Sequence, residues 1–154
     1  MSRLKDLRAI IFRELQKISD EEKKTSAVIH LNGVSLAAVL IAEKRGMDPE
    51  LPAMAAMMHD MAAYLSGSYE DHAHRGAELA KTYLAELNQT SEEENERICS
   101  MIYHHDDKHV IDGPLDEVLK DADVIHHCFH DPAKPVKDKE KQRHQALCEE
   151  FGLK

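Results

Sequence analysis

Histidine and aspartate residues recur on or beside apolar segments of this 154-residue chain, which contains 11 histidines. If the apolar faces of these segments pack together, the polar side chains meet at one interior point. Buried imidazole and carboxylate groups are costly unless they are paired or bind a metal. A mixed nitrogen and oxygen donor set without thiolates suits Mn, Fe, Co, Ni or Mg and, less exclusively, Zn. The candidate metal ligands are His30, His59, Asp60, His72, His104, His105 and Asp123.

The adjacent pair His59 and Asp60 is informative because neighbouring side chains on a helix diverge by about 100°. The pair follows an apolar segment, and at the end of a helix both side chains can still reach one cation. Any one of these histidines, taken alone, fits an ordinary hydrogen-bonded core residue better than a ligand. The ordered set of His, His-Asp and Asp on successive helices favours a metal site.

Helix-forming residues dominate the composition, since aromatic residues make up only 5% and Trp is absent. The spacing of apolar residues predicts an all-α fold with a first helix over residues 4–18. A second helix carries His30 and ends at Gly46, which suits the position after a helix C-cap. Asp48 and Pro49 then predict an N-cap and a first helical position for a third helix, which the His-Asp pair closes.

Four more helices are predicted downstream. The first runs from about Asp71 to Leu87, and the second begins with a capping box at Ser91 and continues to His105. A third covers residues 115–125 after a Gly-Pro turn, and a short charged helix ends near Phe151. The result is a single domain over residues 1–154 with six or seven helices, whose motif-bearing core covers about residues 25–130.

Composition also limits the class of partner and the cellular compartment. A formal net charge of −9 argues against binding a nucleic acid polymer, because phosphate backbones attract basic faces. Charges interrupt the apolar positions of residues 1–12, which argues against a secretory signal, and we expect no apolar run to approach the length of a bilayer span. We therefore expect a cytoplasmic protein without a membrane partner. The three cysteines share no CxxC spacing and suggest no disulfide framework.

The order of these motifs resembles the HD-domain metal-dependent phosphohydrolase superfamily, whose pattern is H, HD and D on separate helices. The likeness extends from about His30 to His127. His30-Leu-Asn-Gly-Val looks like the first motif, residues 51–60 look like the apolar helix that ends in HD, and residues 120–126 look like the last motif. The resemblance assigns the last ligand to Asp123 because the family's Asp follows Ala. Helical periodicity alone does not choose between Asp121 and Asp123.

Two further features bear on the number of metals and on the mechanism. His72, with Gly76 four residues later, and the pair His104-His105 resemble the extra histidines of HD proteins that hold two metals. The resemblance therefore implies a binuclear site. One departure is the segment Met61-Ala62-Ala63, where members with a Gly-Lys after the HD carry a lysine that contacts phosphate or bridging water.

The resemblance implies hydrolysis of a small phosphate ester or anhydride, with a nucleotide as the expected substrate, by metal-activated water. Asp60 would be a shared or bridging ligand. His104 or His105 would donate a proton to the leaving oxygen or contact phosphate. Arg75 and Lys108 are candidate phosphate contacts, although solvent-exposed charge is the commoner role for such residues.

Other interpretations stay open at the level of sequence. A few HD-like proteins are di-iron oxygenases, and the additional histidines would suit iron. A non-catalytic metal-binding domain would explain the missing lysine. A hemerythrin-like bundle is disfavoured, because its motifs repeat ligands turn by turn along one helix. The sequence makes no prediction of oligomeric state.

Overall fold

The computed structural model describes residues 2–154, which form eight α-helices and one 3-10 helix and contain no β-strand. The all-α prediction is confirmed, and each of the seven predicted helices is present. A short additional helix, α4, follows α3 directly after the His-Asp pair. The elements are α1 (Arg3–Leu15), α2 (Glu21–Lys44), α3 (Glu50–Met58), α4 (Met61–Ser66), α5 (His72–Leu87), α6 (Glu92–His104), α7 (Pro114–Phe129), the 3-10 helix (Asp138–Glu140) and α8 (Lys141–Phe151).

The junction between α2 and α3 follows the local sequence signals. Gly46 has a left-handed backbone with φ of 70°. Its N–H donates to the carbonyl of Glu43, and the N–H of Met47 donates to the carbonyl of Ala42 at 2.9 Å, which completes a Schellman motif. Asp48 Oδ1 accepts from the Glu50 N–H at 2.9 Å. The prediction of Asp48 as N-cap and Pro49 as first helical residue is wrong by one position, because Pro49 is the N-cap and α3 begins at Glu50.

Helices α6 and α7 also begin where the capping box and the Gly-Pro turn in the sequence predict. Ser91 and Glu94 form the reciprocal capping box, and Pro114 is the first residue of α7. The end of α7 differs from the prediction, because the helix continues past Ile125 to Phe129. This extra turn matters for the site, since it carries His126 and His127.

Helix α2 packs against α3 and α7. Its length and composition would allow it to cross a membrane, contrary to the expectation that no apolar run comes near that length, and half of its most apolar stretch is buried within the protein. Helix α3 lies at the centre of the core, because the side chains of residues 51–58 are all buried and the helix packs against α1, α2, α6 and α7. The cytoplasmic location stays a prediction.

A buried polar network holds the connection between α6 and α7. Lys120 is fully buried, and its Nζ donates to Asp112 Oδ2 at 2.6 Å and to the Val110 carbonyl at 2.7 Å. Arg143 of α8 donates to the carbonyls of Lys108 and Val110. Because the Val110 carbonyl accepts from both Lys120 and Arg143 and the Lys108 carbonyl accepts from Arg143, the segment after His105 has a defined position.

Helix α5 approaches the end of α3 closely at Gly76. A Cβ at this glycine would lie 3.2 Å from the carbonyl oxygen of His59 and 3.3 Å from Ile102 Cγ2. A larger side chain would therefore push α5 away. The small residue keeps His72, one turn earlier in α5, near the His-Asp pair.

Candidate metal centre

Four buried side chains from α2, α3, the α3–α4 junction and α7 form the first ligand group. His30 Nε2 lies 3.2 Å from His59 Nε2, from Asp60 Oδ2 and from Asp123 Oδ1. His59 Nε2 lies 3.2 Å from Asp60 Oδ2 and 3.4 Å from Asp123 Oδ1. Each residue offers one donor atom to the same small volume.

A second ligand group shares Asp60 with the first. His105 Nε2 lies 3.2 Å from Asp60 Oδ1, and His72 Nε2 lies 3.4 Å from the same oxygen. The two imidazole nitrogens are 3.2 Å apart. The two oxygens of Asp60 are thus divided, with Oδ2 in the first group and Oδ1 in the second. A carboxylate in this position can bridge two cations.

The spacing and chemistry of these atoms fit a divalent metal. Donors placed about 2.1 Å from one cation lie about 3.0 to 3.4 Å apart. The observed nearest distances of 3.2 to 3.4 Å fall in this range. Within residues 2–154, Asp123 Oδ1 is one of few buried polar atoms that make no hydrogen bond. Histidine nitrogens lie 3.2 and 3.4 Å away without forming a hydrogen bond to it, so this oxygen lacks the partner that a cation would supply.

Three of the ring nitrogens are fixed by backbone carbonyls. The Nδ1 atoms of His59 and His105 each lie 2.6 Å from the carbonyl oxygen three residues earlier, and His72 Nδ1 lies 2.9 Å from its equivalent. A carbonyl only accepts, so each Nδ1 carries a hydrogen, and in the neutral ring the lone pair on Nε2 is available to a metal. The carbonyls belong to Ala56, Ile102 and Tyr69.

Lys108 is buried beside the first group. Its Nζ donates to Asp123 Oδ2 at 2.8 Å and to the carbonyl of His105 at 2.5 Å. The lysine therefore fixes one oxygen of Asp123 and leaves the other directed at the histidines. Lys108 thus contacts the candidate ligand Asp123. The sequence analysis predicts a phosphate contact for this lysine instead.

Burial and charge oppose each other strongly in this cluster. Burial would lower the pKa of His59, but the charge of Asp60 and the closeness of Asp123 outweigh it, and the pKa rises to about 10. Burial would raise the pKa of Asp60, but the charge of His59 holds it well below its usual range. The two carboxylates thus attract positive charge, which a protonated imidazole supplies at neutral pH when no cation is bound.

The ligand groups open on a cavity of about 760 Å³. His30, Asp60, His72 and Asp123 form part of its wall. Cationic and imidazole side chains form another part, and the N-terminal turns of α2 with Glu21 and Glu22 form a third. A volume of this size accommodates a small organic ligand. The cationic and imidazole residues are His126, His127, His130, Lys134, Lys137 and Lys139.

The structure brings six of the seven candidate ligands together and leaves His104 outside. His104 Nδ1 lies 2.9 Å from the carbonyl oxygen of Ser100, and neither of its nitrogens belongs to a ligand group. The reason is helical geometry, because neighbouring side chains diverge and His105 points inward. Both nitrogens of His105 are already engaged, which leaves it no free atom to act as a proton donor.

Arg75 also lies apart from the ligand groups. Its guanidinium donates to the carbonyls of Ser68 and Glu70 and to the hydroxyl of Ser66. These contacts hold the turn between α4 and α5, so the side chain is engaged in local structure. The cavity wall does not include it.

Helical periodicity alone does not choose between Asp121 and Asp123 of α7 as the metal ligand, and the structure gives these two acids different partners. Asp123 faces the histidines and Lys108. Asp121 pairs with Arg45 at 2.7 Å and with Arg143 at 3.1 Å. Asp121 is therefore neutralised within the fold and is not available to a cation.

The cavity residues from His126 to Lys139 were missed by the sequence analysis. The predicted helix ends at Ile125, so the histidines lie beyond it. The i, i+4 spacings of Asp123 with His127 and of His126 with His130 would have placed these histidines on an extended α7.

The helical fold and its buried histidine and aspartate groups define an α-helical protein with a candidate binuclear metal centre. The HD domain family matches residues 27–128, which is well over half of the chain. This protein belongs to the HD domain family. A search of curated proteins found no match.

One similar solved structure comes from an uncultured Thermotogales bacterium and is described as a "predicted HD superfamily hydrolase". It aligns with a TM-score of 0.62 over 94% of this chain and 88% of its own, at 19% sequence identity. This likeness shows a shared fold.

We expect metal binding to release protons and to tighten as pH rises. His59 is protonated near neutral pH in the metal-free protein, since its pKa is about 10, and only the neutral ring can bind a metal. Affinity should rise about tenfold per pH unit for each proton released, from about pH 6 to about pH 8. Calorimetry with Zn²⁺ in buffers of different ionisation enthalpy measures both effects. Affinity that is independent of pH, with no buffer-dependent heat, would contradict this charge balance.

Proposed function

We propose that this protein is a metal-dependent phosphohydrolase that cleaves a small phosphate ester or anhydride, with nucleotides as the substrate class. The observation that carries the proposal is the division of the Asp60 carboxylate between two buried ligand groups beside an open cavity. Membership of the HD domain family agrees with a metal-dependent hydrolase.

Two divalent cations fit this arrangement. His30, His59, Asp60 and Asp123 would hold one, and Asp60, His72 and His105 would hold the other. A bound pair of divalent cations supplies an activated water and charge neutralisation for a phosphoryl group. Asp60 contributes the negative charge that both positions share.

The remaining residues orient the ligands and receive the substrate. Lys108 holds Asp123 with one oxygen turned toward the histidines, and the carbonyl contacts hold three imidazole rings. In this proposal Lys134 and Lys137, exposed on the loop after α7, bind phosphate oxygens in the cavity. They replace Arg75 and Lys108, whose cationic groups are engaged elsewhere. The aromatic ring of Tyr69 at the cavity wall offers a surface for a nucleobase.

An oxygenase is the second candidate, and one specific observation favours it. His72, His105 and Asp60 form a group of two histidines and one carboxylate, which is the donor set of many non-haem iron oxygenases.

Metal analysis of protein purified without added metal, followed by activity assays with phosphatase, pyrophosphatase and phosphodiesterase substrates, tests the proposed hydrolase. Substrate-dependent oxygen consumption by the iron-loaded protein, without phosphate release, would favour the oxygenase instead.

Replacing Asp60 with Asn tests the shared carboxylate. The shape is retained and the negative charge is lost, so metal affinity and phosphate release should fall together by at least about ten- to a hundredfold. Helix content, measured by circular dichroism, should stay near that of the wild type. Asp121→Asn is the matched control, because it removes a buried carboxylate on α7 that pairs with arginines. An Asp60→Asn protein with full metal content and full activity would refute the mechanism.

Replacing Lys134 and Lys137 together with Ala tests the phosphate contacts. The Michaelis constant for the best substrate should rise by about tenfold, because charge-assisted hydrogen bonds to phosphate are lost, while metal content stays unchanged. A protein with Lys81→Ala and Lys141→Ala controls for the loss of two exposed positive charges away from the cavity. Equal effects in the two double variants would show that the cavity lysines have no specific role.

A further inference from the structure

His30 differs from the other candidate ligand histidines in its place along the chain. His59 and His105 follow the last residues of α3 and α6, and His72 opens α5 after a turn. At such positions the carbonyl three residues earlier accepts from the ring, and the carbonyls of Tyr69 and Ile102 also accept from the backbone N–H of the same histidine. His30 lies in the interior of α2, where backbone carbonyls already accept hydrogen bonds within the helix. Its Nδ1 therefore needs an acceptor from another part of the structure.

His126 meets this need. Its Nδ1 lies 2.8 Å from the Nδ1 of His30, and the ring comes from the last turns of α7. In a hydrogen bond between two imidazoles, one ring donates and the other accepts. If His30 donates, its Nε2 keeps a lone pair directed at the first ligand group. If His126 donates, the neutral His30 ring carries its hydrogen on Nε2 and cannot bind a cation there.

Gly33 explains how the His126 ring fits against α2. This glycine follows His30 by three residues and so lies on the same side of the helix. A Cβ on Gly33 would lie within 2.5 Å of His126 Nε2, far inside any permitted contact. On its other side the ring stacks on His130, with centroids 4.7 Å apart. Glycine is unfavourable in the interior of a helix, and here it provides the space that His126 occupies.

We propose that His126 is a positioning residue for the metal centre, that it accepts the Nδ1 hydrogen of His30, and that Gly33 is the space that allows this contact. His126 thereby takes the role that a backbone carbonyl has for the other three histidines. The inference rests on the metal centre of the proposed function and adds an outer residue to it. It predicts that changes at two residues outside both ligand groups weaken metal binding.

The test compares three variants by competition of Zn²⁺ with a chromophoric chelator. His126→Leu keeps bulk without an acceptor, and Zn²⁺ binding by the His30 group should weaken by about ten- to a hundredfold. His126→Asn places an amide oxygen where Nδ1 was and should retain most of the affinity. Gly33→Ala should weaken binding as His126→Leu does, although alanine favours the helix. His109→Leu, at an exposed histidine outside both ligand groups and outside the cavity wall, is the control and should bind as the wild type does.

Nitrogen-15 NMR of the imidazoles provides a readout that does not depend on activity. In the wild type, His30 should carry its hydrogen on Nδ1 with Zn²⁺ bound, and this signal should be lost in His126→Leu and kept in His126→Asn. Wild-type affinity in His126→Leu, or equal losses in the Leu and Asn variants, would overturn the inference. A wild type that failed to bind Zn²⁺ would overturn the metal centre as well, whereas Zn²⁺ binding without hydrolysis would count only against the proposed function.

Discussion

Two carboxylates, Asp60 and Asp123, lie buried side by side in this helical protein, and the rest of the site is arranged around the positive charge that they require. Burial opposes ionisation, so each carboxylate stays charged only because cationic or imidazole groups surround it. Lys108 supplies one fixed positive charge and binds a single oxygen of Asp123. The other oxygens face imidazole nitrogens. Because the pKa of both acids lies well below its usual range, the surrounding cationic and imidazole groups more than offset the free energy cost of burying the acids, and a bound divalent cation would take over the charge that a protonated imidazole supplies.

Helix ends and small residues make this arrangement possible. A short helix such as α3 can deliver both members of the His-Asp pair because its last turn leaves carbonyls free to orient an imidazole. Glycines act where two elements must approach more closely than a side chain permits. Gly76 brings α5 against the end of α3, and Gly33 admits the ring of His126. The ligand set thus depends on residues that bear no chemistry of their own.

Much of the fold could be predicted from the sequence because its signals are local. The Schellman glycine at Gly46, the capping box at Ser91 and the proline at position 114 each fix a helix boundary by short-range hydrogen bonding. The site was predictable to the extent that ligands lie on successive helices. The sequence pattern could not predict how each helix is rotated about its axis or how deeply a side chain is buried. Periodicity does not say which of two adjacent histidines points inward, or that Lys108 is buried and contacts Asp123. The histidines after Ile125 were missed because the polar end of α7 lacks the apolar spacing that marks a helix.

In the proposed metal centre Asp60 is shared by two cations, and anomalous X-ray diffraction from crystals of the Mn²⁺- or Zn²⁺-loaded protein is the direct test of this arrangement. We expect two anomalous peaks about 3.5 to 4 Å apart. One peak should lie among His30, His59, Asp60 and Asp123, and the other should contact Asp60, His72 and His105. A single peak, or peaks that do not contact Asp60, would show that this carboxylate does not join two metal ions.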